Sequence, residues 1–86
     1  MEWHYGGGFV IMSDMEDKTA LVAEDNSEHY GKYAALLSGM GLRVERACDG
    51  VDALAMAKDG SYSVVVLDVN LPRLGGIEVL KSVRTH

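Results

Sequence analysis

Val64-Val65-Val66-Leu67 is a continuous, mostly β-branched apolar run that breaks off abruptly at Asp68. A strand with water on one face alternates apolar and polar side chains, whereas a run with no polar position belongs to a strand covered on both faces, as in the middle of a parallel sheet. Such a strand needs partners at its edges and helices above and below it, and the rest of the chain has to supply them. Ala20-Leu21-Val22-Ala23 is a second run of strand length, ending in Glu24-Asp25-Asn26-Ser27. Asn26 or Ser27 can cap a helix there, and Tyr33, Leu36, Leu37 and Met40 come next at the spacing of one buried helical face, with Gly41 as the stop.

Leu42, Val44 and Ala47 outline a shorter strand, and Asp49-Gly50 turns the chain into a helix with Ala53, Leu54 and Ala57 on one side, closed by Asp59-Gly60. Ile77, Leu80 and Val83 or Arg84 mark a third helix after Asp68. Strand, helix, strand, helix, strand, helix predicts right-handed crossovers and a parallel sheet, so the fold class is α/β. In the order 2-1-3 the winding direction reverses between the first and third strands, and open α/β sheets bind ligands at that switch point, beyond the carboxyl ends of the strands. Asp25 and Asp68 stand at those two ends. With Glu24 they would form a carboxylate cluster whose members raise one another's pKa unless a cation joins them, and a hard divalent ion such as Mg²⁺ suits oxygen ligands.

Residues 1–18 differ from the rest of the chain, with three consecutive glycines, four acidic residues and no clear period, and read as an extension. Within it, Phe9-Val10-Ile11-Met12 can form one short strand. At 86 residues and 48% hydrophobic content the chain has room for one small domain of modest stability. One cysteine excludes an internal disulfide and a Cys-based zinc cluster, and Cys48, beside a turn, reads as a small packing residue. A reducing, cytoplasmic setting is the expectation, since no signal segment or membrane-length apolar run is visible. Thirteen acidic against eight scattered basic residues argue against direct nucleic-acid binding. His4, His29 and His86 are too scattered for a ligand set.

Glu24-Asp25 after the first strand, Leu67-Asp68-Val69-Asn70-Leu71-Pro72 after the third, Cys48-Asp49-Gly50 before the second helix and Gly76-Ile77-Glu78-Val79-Leu80 resemble a CheY-like response-regulator receiver domain, over Thr19 to His86. The resemblance implies a flavodoxin-like fold, here incomplete, with residues 19–86 as the receiver portion. It implies that Asp68 accepts a phosphoryl group from a sensor histidine kinase or phosphotransfer protein. It also implies that Asp25 and Glu24 hold Mg²⁺ together with Asp68 and the backbone carbonyl of Asn70. A complete receiver of this kind continues through two more strands and helices that carry a Ser or Thr, a Lys and an aromatic switch residue. Thr85 and Lys81 do not substitute for them, lying on or just beyond the third helix.

Without a further strand, Val64 to Leu67 would present an unpaired edge. Either Phe9 to Met12 covers that edge, or a second copy pairs there to give a homodimer. Three functions compete on this sequence. The first is a phosphoacceptor module, and the second is a non-phosphorylated interaction or dimerisation module. The third is an aspartyl-phosphate enzyme, which ranks last because Asn70 stands where a proton-donating acid is needed.

Overall fold

The computed structural model describes residues 2–6, 9–13, 18–59 and 62–84, with side chains described over 18–58 and 62–82. The chain runs β1 (Glu2–Gly6), β2 (Phe9–Ser13), β3 (Thr19–Ala23), α1 (Ser27–Gly39), β4 (Arg43–Ala47), α2 (Gly50–Asp59), β5 (Val64–Asp68) and α3 (Gly76–Arg84). The sheet has the order β1-β2-β5-β3-β4. Its parallel part places β3 between β4 and β5, the 2-1-3 order expected for the three strands that alternate with helices.

Every residue of β3 is buried, as a strand flanked on both edges and both faces requires. Side chains alternate between two cores. Leu21, Ala23, Val65 and Leu67 meet Ala53 of α2 and Val79 and Leu80 of α3. Ala20, Val22 and Val66 meet Leu37 of α1, with Tyr30 and Tyr33 packed alongside. This period of two explains why the runs Ala20–Ala23 and Val64–Leu67 show no polar position: both faces of these strands are covered by helices.

Asn26 caps α1, its side-chain oxygen accepting from the His29 N–H at 3.0 Å. At the other end Gly41 takes φ +88°, Leu42 N–H donates to the Leu37 carbonyl at 3.1 Å and Gly41 N–H to that of Ser38 at 3.0 Å, a Schellman ending. The buried face of α1 differs from the expected one. Leu37 is buried and Tyr33 partly so, but Leu36 and Met40 are 64% and 67% exposed. The helix is rotated so that Tyr30, Tyr33 and Leu37 face the sheet, and aromatic side chains of this kind bury large apolar areas. Cys48 is also exposed rather than packed. Gly60 as the end of α2 lies outside the described residues.

The segment Phe9–Ser13 forms a strand, and it pairs antiparallel with β5, Phe9 opposite Asp68 and Ser13 opposite Val64. β1 pairs antiparallel with β2 in turn. The hairpin therefore occupies the edge of β5 on which the homodimer expectation relied, and moves the sheet margin out to β1.

Candidate functional site

β3 and β5 are parallel neighbours in the register Ala23 opposite Leu67, so the next residues along, Glu24 and Asp68, leave the sheet side by side. Parallel strands lie about 4.8 Å apart. By alternation both residues fall on the α1 side, Glu24 with Ala20 and Val22, Asp68 with Val64 and Val66. Asp25 comes next, at the start of the β3–α1 connection. Carboxylate oxygens of Glu24, Asp25 and Asp68 all lie within 4.8 Å of one another. Glu24 is buried, Asp68 half-buried and Asp25 exposed, so the cluster runs from the interior to the surface.

Backbone geometry holds each member. Glu24 N–H continues the ladder to the Ala47 carbonyl at 3.1 Å. Its Oε1 accepts from Asn26 N–H at 3.0 Å and lies 3.8 Å from Nδ1 of the exposed His29. Among the described residues, Oε2, equally buried, has no hydrogen-bond partner. Asp68 Oδ1 accepts from Asn70 N–H at 2.9 Å, and the carbonyl of Asp68 receives Leu71 N–H at 3.4 Å. Asn70 is thus tied to Asp68 through its amide. Beneath this turn Gly76 lets α3 begin against the strand end, since a Cβ there would stand 2.5 Å from the Asp68 carbonyl oxygen.

Burial pushes the Glu24 carboxyl upward, the neighbouring Asp68 and Asp25 carboxylates push it further, and the Asn26 N–H partly opposes them. The phenol of Tyr33 is raised by burial and by the same negative charge from Glu24 and Asp68. Three hard oxygen donors with an unpartnered buried oxygen among them suit a small divalent cation, which would supply the charge and the contact that Glu24 Oε2 lacks.

Two residues near the site carry no signal in the sequence pattern. His29, far in sequence from the other histidines, sits over Glu24 because it is at the third position of the capped helix. Arg46 of β4 donates to the carbonyls of Glu24 and Asp25 and stacks its guanidinium on the Tyr30 ring. The side chains of His4 and His86 lie outside those described.

A loop carries the chain from Asp68 to α3 and is fastened to the start of α2. Gly50 N–H donates to the Pro72 carbonyl at 3.1 Å, and Arg73, at φ +68°, donates to Asp49 Oδ2 at 3.0 Å. Asp49 also caps α2 through Asp52 N–H at 2.8 Å.

Residues 20–86 match the family model of the response regulator receiver domain. The chain belongs to that family, a class of two-component signalling domain. Among its relatives, the autoinducer 2 sensor kinase/phosphatase LuxQ of Vibrio parahaemolyticus is 36% identical over 71 residues, 83% of this chain and 8% of that protein. The transcriptional regulatory protein DltR of Streptococcus agalactiae is 42% identical over 64 residues, 74% of this chain and 29% of that one. The structure of the Francisella response regulator 1452 receiver domain superposes with a TM-score of 0.74 at 30% identity, over 80% of this chain and 57% of that one. The chain thus spans less than a third of the curated relatives' length. Among the described residues no helix is long and apolar enough to cross a membrane.

Proposed function

We propose that this chain is a phosphoryl-accepting receiver module of a cytoplasmic two-component phosphorelay, phosphorylated on Asp68, with residues 19–86 as the receiver portion and 1–18 as an extension. The observation that carries this reading is the convergence of Glu24, Asp25 and Asp68 at the switch point, with Glu24 Oε2 buried and unpartnered among the described residues. Glu24, Asp25, Asp68 and the Asn70 carbonyl would hold Mg²⁺. When bound, the ion supplies positive charge against the transferring phosphoryl oxygens.

The donor that fits is a phosphohistidine on a sensor histidine kinase or a phosphotransfer protein. An oxygen of the Asp68 carboxylate attacks phosphorus, the P–N bond breaks, and its electron pair leaves on the imidazole nitrogen, which takes up a proton. The product is an acyl phosphate on Asp68. Asn70 N–H fixes the carboxylate before transfer through Oδ1, and the exposed Asp25 marks the side from which the donor approaches. No proton donor for a hydrolytic step stands at position 70, which favours a signalling module over an aspartyl-phosphate enzyme.

Intact mass after incubation with a small-molecule phosphoryl donor, with and without Mg²⁺, tests the reading. One Mg²⁺-dependent phosphoryl adduct, lost in Asp68→Asn, is the expected result. A folded chain that acquires no adduct sinks it and favours a non-phosphorylated interaction module.

A further inference from the structure

We infer that Arg46 is a positioning residue for the acidic pocket, setting the orientation of Glu24 and Asp25 through their backbone; this rests on the phosphoacceptor reading above. Arg46 lies on β4 opposite Val22 of β3, on the face covered by α1. From there its guanidinium reaches the turn that leaves β3. Nε and Nη2 both donate to the Glu24 carbonyl, at 3.2 and 3.1 Å. Nη2 is shared with the Asp25 carbonyl at 3.3 Å and Ser27 Oγ at 3.4 Å. The plane of the group is held from the other side by the Tyr30 ring, 4.5 Å from its centroid.

A rigid fork is suited to this task, because two consecutive carbonyls drawn to one planar group leave little freedom to the peptides that carry the two carboxylates. Helix stability does not account for the arrangement. Asn26 already caps α1, and a cation beside the first turn opposes the helix macrodipole, which favours positive charge at the carboxyl end. The contacts are instead what the pocket needs: three carboxylates that repel one another must be kept converged before a cation arrives, and the peptides of the two that are adjacent in sequence are held by Arg46. His29 approaches Glu24 at its side chain, not its carbonyl.

Partners that orient metal ligands commonly change metal affinity by about 10–100-fold when removed. The full chain and its Arg46→Ala and Arg46→Lys variants are compared in three measurements: Mg²⁺ titration by calorimetry, labelling by a small-molecule phosphoryl donor across Mg²⁺ concentrations, and metal-free amide exchange at Asp25 and Asn26. Thermal melts run alongside, and Asp25→Asn is the control that removes a ligand while leaving the fork. The expected result is a half-saturating Mg²⁺ concentration raised about tenfold in Arg46→Ala, with labelling restored at high Mg²⁺ and faster exchange at both amides.

Lysine keeps the charge without the fork, so Arg46→Lys should resemble the alanine variant. Wild-type Mg²⁺ half-saturation in a folded Arg46→Lys overturns the inference, and this variant decides if Arg46→Ala does not fold. Unchanged exchange at Asp25 and Asn26 in both variants overturns it as well. A wild-type chain that is never labelled instead removes the phosphoacceptor reading, and the exchange data still report on the fork.

Discussion

Asp49 does two jobs with one carboxylate, capping α2 through Asp52 N–H and receiving Arg73 from the loop that leaves Asp68. The hydrogen bond from Asp52 is the main reason its carboxyl is held below the usual range, and the Arg73 guanidinium adds to it. A folded-state pKa lowered below the unfolded value gives stability that is present above the unfolded value and lost as pH falls through the folded one. Asp49→Ala should therefore lower the urea midpoint at pH 7, and the gap to wild type should close as the pH is taken down through and below the carboxylate range. Urea melts at a series of pH values check this, and a gap that persists at the lowest pH would assign the effect to something other than the ionised cap. Arg73 is held at positive φ by this contact and by the Leu74 N–H to Pro72 carbonyl bond at 2.8 Å, so the loop between Asp68 and α3 is pinned where it touches α2.

Element packing makes opposite demands on two glycines that look alike in the sequence. At Gly50 the first turn of α2 presses against the backbone of Leu74, and a Cβ would stand 1.6 Å from that carbonyl oxygen. At Gly31, inside α1, nothing among the described residues beyond the helix's own backbone lies within 4 Å of the same position. Gly50→Ala should cost about 3 kcal/mol or more because backbone must move, whereas Gly31→Ala should add roughly 0.5–1 kcal/mol through helix propensity alone. Chemical denaturation of the two variants separates them, and equal effects would contradict the packing.

Strand runs, caps and the terminal acids were legible at this scale because each arises from local chemistry: Val64–Leu67 and Ala20–Ala23 as buried strands, Asn26 as a cap, Gly41 as a stop. The rotation of α1 was not, since Tyr30, Tyr33 and Leu37 compete with Leu36 and Met40 for the same sheet face and only packing decides. Arg46 was hidden for a related reason. Its partners are backbone carbonyls 21 and 22 residues away, which leave no mark in a pattern of side chains.

At the scale of the whole molecule the main question is how so short a sheet protects β5, its most apolar strand. A flat apolar strand with a free edge pairs with other chains. Here β2 pairs along β5 from Val64 to Asp68, and the hairpin places Phe9 opposite the phosphoacceptor candidate itself. The extension is therefore part of the sheet that holds the site, and its departure would alter both association state and the surroundings of Asp68. Ile11 is the middle residue of β2, opposite His4 on one side and Val66 on the other. A proline there removes a ladder donor and is poorly tolerated inside a sheet. Ile11→Pro should detach the hairpin and uncover β5. Amide exchange at Val65, Val66 and Leu67 should accelerate, and light scattering should show mass increasing with concentration as β5 edges find one another. Protection of β5 that stays at the wild-type level, with a monomer at every concentration, would mean that β3 and the helices alone secure this strand.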